Sequence, residues 1–254
     1  VSRPRRVLVG GVPVDLCDVD EFVTLTTQWA STGRRALVIG INAHVVNMCA
    51  KNPEFAAVVT ASDLNFPDGQ SVVWAARALG HRPRGRVPLT HITAPMCRAW
   101  VAADLRVYLL GGRPGVAERA AERLRREYGL QVVGTRDGYF TDSDEADVIA
   151  DINTSGAQVL MVGMGNPRQE LWAYAHRERL TPPVVLTCGG WFDWTAGIRR
   201  PCPPWIYRFG MEWAYRLAQE PRRLFTRYVV GNPSFIYRVI RSYRTDIRDS
   251  TDAL

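Results

Sequence analysis

Lysine is almost missing from this chain. Lys51 is the single lysine among 254 residues, and arginine supplies the rest of the 32 basic side chains. A formal charge of +7 built that way reflects coding bias as much as function, so whole-chain charge alone does not require a polyanionic partner. Cysteine is sparse and scattered: Cys17, Cys49, Cys97, Cys188 and Cys202 are odd in number, form no CxxC, and have no histidine pair at metal-ligand spacing. That excludes a disulfide framework readable from spacing and predicts buried free thiols in a reducing cytoplasm, with no metal site. Long apolar runs are absent too. No segment approaches the roughly 18 apolar residues that span a bilayer, and the N-terminal stretch lacks a signal-type apolar core of about 7–15 residues. The expectation is a cytoplasmic protein whose membrane contact is at most peripheral, on the inner face of the cytoplasmic membrane. Internal repeats and low-complexity tracts are lacking as well.

What is present suits a folded enzyme-sized body. A hydrophobic content of 46% with aromatics spread along the chain opposes disorder, and 254 residues bury one sizeable core, with or without an appendage. Short apolar runs alternate with amphipathic stretches, which predicts strands joined by crossover helices in a mainly parallel α/β layer. The expected strands are residues 6–9, 36–41, 64–67, 106–110, 132–135, 159–162 and 184–188. Helices are expected over 72–79, over the alanine-rich 115–128, and over 167–179, where Pro167 stands near the first turn.

Composition changes after Gly197. Arg199-Arg200-Pro201-Cys202-Pro203-Pro204 cannot continue regular structure, so a body of residues 1–197 and a helical appendage of residues 198–254 are expected. Eleven arginines against four acidic residues fall in 198–249, which points to an anionic partner at this end. Trp205, Phe209, Trp213 and Leu217 recur every four residues, flanked by Arg208 and Arg216. After Pro221, the group Phe235, Ile236, Val239, Ile240 and Tyr243 is interleaved with Arg238, Arg241 and Arg244. Such basic, aromatic helices suit a membrane interface, with apolar side chains in the headgroup boundary and Arg toward phosphates; a solvated charged face is the plainer reading.

Four strand ends carry candidate chemistry. Leu110-Gly111-Gly112-Arg113-Pro114-Gly115 and Gly163-Met164-Gly165-Asn166-Pro167-Arg168-Gln169-Glu170 are glycine-containing turns ahead of helices, where backbone N–H groups favour a diphosphate; a tight strand-to-helix turn needs the same glycines. Neither has the full GxGxxG spacing. Asn65-Phe66-Pro67-Asp68-Gly69-Gln70 places a carboxylate after a strand. Asp68 is either a turn former or a general base for an attacking hydroxyl, with arginines and turn amides stabilising a diphosphate leaving group. Asn42 could bind a sugar, hold Asp68, or cap its own helix.

These segments carry a resemblance. Pro67-Asp68-Gly69, Gly163 to Trp172, Gly189-Gly190-Trp191-Phe192-Asp193-Trp194-Thr195-Ala196-Gly197 and Glu212 to Arg223 together resemble the WecG/TagA/CpsF glycosyltransferases (glycosyltransferase family 26, N-acetylmannosaminyltransferase-like) over nearly the whole chain. The resemblance implies a Rossmann-like fold of the GT-E type with a C-terminal appendage. It implies a UDP-sugar as co-substrate, no cofactor and no metal, and transfer of N-acetylmannosamine or a related hexose to a polyprenyl-diphosphate-linked sugar in cell-surface polysaccharide or teichoic acid synthesis. It further implies Asp68 as base, Asn42 and Gln169 in the sugar pocket, and Arg86 near the donor phosphates. Arg216 and Arg223 would come from the appendage, and a homo-oligomer would assemble through the body. Gly111, Gly112, Gly163, Gly165 and Glu170 complete the expected binding set.

Two departures stand out. Members usually read Glu-Arg-Val-x-Gly-x-Asp, whereas this chain reads Gly85-Arg86-Val87-Pro88-Leu89-Thr90-His91, and a position often occupied by Thr is Gly40. His91 in place of a carboxylate either alters local charge near neutral pH or belongs to a different loop. The altered segment also motivates a soluble, secondary-metabolite acceptor in place of a lipid-linked one. Of other classes, a nucleotide-dependent oxidoreductase lacks its complete fingerprint and ribose-binding acid. A nucleic-acid-binding module fits the aromatic stripe poorly, and no nucleic-acid partner is expected.

Overall fold

The computed structural model describes residues 3–199, 202–203, 206 and 209–251. The chain opens with an antiparallel hairpin, β1 (Arg6–Val9) and β2 (Val12–Asp15), joined by Gly10 and Gly11. Both glycines have positive φ, 60° and 81°, which a two-residue turn with the twist of a hairpin requires. Residues 6–9 are therefore a strand as expected but stand outside the parallel layer. The pattern Val-Leu-Val-Gly-Gly-Val-Pro-Val carries the hairpin signal, and the proline hides its second arm.

The layer itself comprises β3 (Ala36–Ile41), β4 (Leu64–Pro67), β5 (Arg106–Gly111), β6 (Gln131–Arg136), β7 (Val159–Gly163) and β8 (Val184–Thr187). All five pairings are parallel, in the order β4-β3-β8-β7-β5-β6. Strands covered on both faces read as continuous apolar runs, which is why these were legible as strands. Alternate residues feed two cores: Val38, Leu64, Val107, Met161 and Leu186 face one side, and Ile39, Ile41, Leu110, Leu160 and Val185 the other.

Helices α1 (Val19–Thr32), α5 (Leu89–Ala102), α6 (Val116–Tyr128) and α9 (Trp191–Thr195) cover the first face. Helices α2 (Ala43–Cys49), α3 (Pro53–Ala61), α4 (Gln70–Ala78), α7 (Glu145–Thr154) and α8 (Arg168–His176) cover the second. The neighbouring strands β3 and β8 thus send the chain to opposite faces, through α2 and α9. That divergence opens a crevice at their carboxyl ends, where ligands of open parallel sheets gather.

From Glu212 the described chain is helical, as expected of the C-terminal part: α10 (Glu212–Gln219), α11 (Pro221–Phe225), a π-helical stretch (Thr226–Val230) and α12 (Gly231–Thr251). Pro221 opens α11, where its missing N–H costs nothing. Helix α12 joins the second core through buried Phe235 and Val239, while Ile236, Ile240 and Tyr243 stay exposed. Asn47 ties α12 to α2, donating to the Gly231 carbonyl at 2.7 Å and accepting from Arg238 at 3.1 Å. Trp205 and Arg208 of the expected stripe lie outside the described residues, as do the side chains of Arg223 and Arg244.

Gly111 ends β5 with φ 142°, paired with Gly163 of β7, and a Cβ there would stand 2.3 Å from the Gly163 carbonyl oxygen. The glycine is thus required by strand-to-strand approach. Gly111→Ala should cost on the order of 4 kcal/mol in urea unfolding, because backbone clashes belong to the severe class of substitutions. An unchanged midpoint would mean that the ends of β5 and β7 are not this close.

Candidate active site

Strand β4 ends by handing its ladder to the next loop: the Asp68 and Gly69 N–H groups both donate to the Ile41 carbonyl, at 3.0 and 3.1 Å. That fixes Asp68 beside Asn42, the residue after β3. The Asn42 side-chain oxygen Oδ1 accepts from the His44 and Val45 N–H groups as the N-cap of α2. Its amide nitrogen therefore points the other way and donates to the Asp68 carboxylate at 3.2 Å. Two of the three readings of Asn42 hold at once. Gly69 is demanded by this approach, since a Cβ there would lie 2.8 Å from the Asn42 Cβ. At Gly40 a Cβ would meet the Phe66 ring at 2.8 Å, so Phe66 occupies the volume beside Asp68 that a larger residue 40 would need.

Asp68 keeps limited exposure through the cavity it lines. Burial pushes its carboxyl above the usual range and Glu212 adds to the rise; the Asn42 hydrogen bond, Arg216 and Arg227 oppose it. The segment carrying Arg86 is pinned next door, because the Val87 N–H donates to the Pro67 carbonyl at 2.8 Å. Arg86 reaches Glu212 at the start of α10, 3.3 Å away, with side chains only 9% and 15% exposed. One turn later, the Arg216 guanidinium lies over the Trp194 ring, 5.7 Å from its centroid.

On the β7 and β8 side, Gln169 works as a bracket. Its Oε1 accepts from the Gly165 and Gly189 N–H groups, both at 3.1 Å, and so joins the turns after the two strands. Its Nε2 donates to Glu170 Oε1 at 2.6 Å, and Asn166 Nδ2 donates to the same oxygen at 2.6 Å. Glu170 is buried, which pushes its carboxyl up to about 7 against the pull of those donors. It orients two amides that line the cavity from behind them.

The cavity measures about 920 Å³. Asn42, Asp68, Arg86, Gln169 and Arg216 all line it, from three strand ends, the segment before α5 and the C-terminal helices. Gly111, Gly112, Gly163, Gly165 and Glu170 do not. Gly112 donates to the Gly163 carbonyl at 3.0 Å, and a Cβ at Gly163 would come within 2.8 Å of the Gly189 carbonyl oxygen and Phe192. Close backbone packing thus accounts for Gly111 and Gly163, and a positive φ of 74° for Gly112. Arg223 has its side chain outside the described residues.

Among the lining residues, sequence reasoning missed Glu212, Arg227 and His44 as site candidates. Arg227 sits in the π-helical stretch, whose wider turn a 3.6-residue spacing does not anticipate. Burial, with Arg227 and Lys51 adding to it, pushes His44 down to about 4, so its imidazole stays neutral at pH 7. His91 is exposed at the surface, yet partial desolvation of its ring and then Arg86 push it down to about 4, so it does not switch charge near neutrality. The five cysteines are free, with Cys17, Cys97 and Cys202 buried. Among the described residues no helix is long and apolar enough to cross a membrane.

A doubly covered parallel sheet with a carboxylate and arginines around one cavity at its strand ends is a frame that can hold a ligand beside a proton acceptor. The profile of the Glycosyl transferase WecG/TagA/CpsF family matches residues 7–249, and the chain belongs to that family. It is a Rossmann-like glycosyltransferase, with a sugar donor and an acceptor as its substrates.

Proposed function

We propose that this glycosyltransferase moves N-acetylmannosamine or a related hexose from UDP to the hydroxyl of a polyprenyl-diphosphate-linked sugar, with inversion and without a metal on the diphosphate. The carrying observation is Asp68, held by Asn42 in the same cavity as Arg86, Arg216 and Arg227. In this reading the acceptor oxygen attacks the anomeric carbon from the face opposite UDP, and its proton passes to the Asp68 carboxylate. The bond to the UDP oxygen breaks, and that oxygen leaves with the electron pair. Arginines offset the charge growing on the diphosphate, preorganised where water would otherwise have to reorient. The raised affinity of Asp68 for a proton suits a base that must take one from a hydroxyl.

The acceptor assignment is supported by what surrounds the mouth. Ile236 and Ile240 line the cavity and are also about half exposed, and Phe225, Val230 and Tyr237 extend the exposed apolar surface of the C-terminal helices. An apolar rim set among arginines suits a peripheral position on an anionic membrane leaflet. The test is a scan of UDP-sugars for protein-dependent UDP release, with lipid-linked and soluble acceptors, in buffer without Mg²⁺ or Mn²⁺. Release with a lipid-linked acceptor supports the whole reading. Release only with a soluble acceptor would overturn the lipid part, and none with any pair would overturn the donor.

A further inference from the structure

His91, Cys202 and Glu212 are 121 residues apart from first to last, so no spacing rule groups them, yet their ligand atoms all lie within 4.8 Å of one another. His91 stands in the first turn of α5, Cys202 lies between α9 and α10, and Glu212 opens α10. Among the described residues this is the one group of three or more His, Cys, Asp or Glu side chains close enough to share an ion. We propose that His91, Cys202 and Glu212 form a zinc-binding site that clasps the C-terminal helices to the body beside the cavity.

The donor set selects the ion. One imidazole nitrogen, one thiolate and one carboxylate suit a borderline-soft divalent cation, whereas Mg²⁺ and Ca²⁺ take oxygen ligands throughout. Bond lengths of about 2.0–2.3 Å at tetrahedral angles place ligand atoms roughly 3.3–3.6 Å apart, so closing the site from 4.8 Å needs side-chain adjustment on the order of 1 Å. Charge balances as well: Zn²⁺ with one thiolate, one carboxylate and a neutral imidazole is net neutral, which tolerates Arg86 nearby. A carboxylate has two oxygens, so Glu212 can pair with Arg86 through Oε2 and offer its other oxygen to the metal. Three protein ligands leave a fourth position for water. The clasp would hold α10, and with it Arg216, over Asp68, and it stands whatever the sugar donor turns out to be.

The experiment reads metal directly, so its failure leaves the transferase reading untouched. The full chain, stripped with a chelator, is titrated with Zn²⁺ alone against a chromophoric competitor, and separately with Co²⁺ while absorbance is recorded. The expected result is one zinc per chain and a thiolate-to-cobalt charge-transfer band in the near ultraviolet. Affinity should fall at least about tenfold in His91→Ala and in Cys202→Ala, and the band should vanish in the latter. Circular dichroism of the stripped variants checks folding, and exposed His91 is the safer of the two should Cys202→Ala misfold. No uptake against the competitor would overturn the proposal, as would uptake undiminished in His91→Ala, or a cobalt complex lacking the thiolate band.

Discussion

Asp68→Asn should lower turnover by about 10²–10⁴-fold while donor affinity stays within about threefold, because a positioned base contributes that much to a proton transfer. The substitution keeps the volume and one carbonyl oxygen, so the Asn42 amide still has an acceptor where the carboxylate stood. In the proposed mechanism it removes only the capacity to take the acceptor proton. Stability should move the opposite way from activity. Asp68 has its folded pKa raised above the unfolded value, so between the two the folded state holds a proton that the unfolded chain has lost. Any stabilisation linked to that proton is fully present below the unfolded pKa and is lost as pH rises through the folded one. At neutral pH the buried carboxylate is therefore a net cost, which the neutral amide of the variant does not carry. The melting temperature of Asp68→Asn should equal or exceed that of the parent at pH 7, and the difference should shrink on acidification. Single-turnover rates of the parent should rise with pH as Asp68 ionises. Near-parent turnover would remove Asp68 from the chemistry, and a melting temperature several degrees lower would make it a structural residue instead.

The parts of this site set by local patterns could be read from the sequence, and the parts set by long-range approach could not. Strands β3 and β4 are short apolar runs buried on both faces, so their ends, and with them Asn42 and Asp68, fell where the pattern put them. The glycine turns were harder, since a phosphate cradle and a close-packed strand end need the same residue. Only the distance from a Gly111 Cβ to Gly163 separates the two readings there. Helix α5 carries Pro95 in its interior, which masks a helical period that Leu89, Ile92, Met96 and Trp100 otherwise keep. The split of the last helix is tertiary too: Phe235 and Val239 turn inward and Ile236 and Ile240 outward, though all four looked like one apolar group. Pairings such as Arg86 with Glu212 join segments more than a hundred residues apart, and no periodicity encodes them.

That last pairing gives the second large effect. Arg86→Ala should weaken donor binding by roughly 10²-fold and destabilise the chelator-treated protein by about 2–3 kcal/mol, less than the roughly 3–5 kcal/mol of a fully buried broken pair because both side chains keep some solvent contact. The two losses have different origins. In the proposed reading, donor binding needs the guanidinium against the diphosphate. Stability falls because Glu212 is left with a largely buried charge and without that partner. Glu212→Gln should therefore behave differently: it keeps the arginine and removes a charge that raises Asp68, so the pH at which the rate rises should shift downward. The double variant separates the roles, since removing both charges leaves no carboxylate to strand. Its urea midpoint should recover most of what Arg86→Ala lost, while the donor KM stays high. Recovery of donor binding along with stability would show that Arg86 acts only by holding α10 in place, and the diphosphate would then have to be assigned to Arg216 and Arg227.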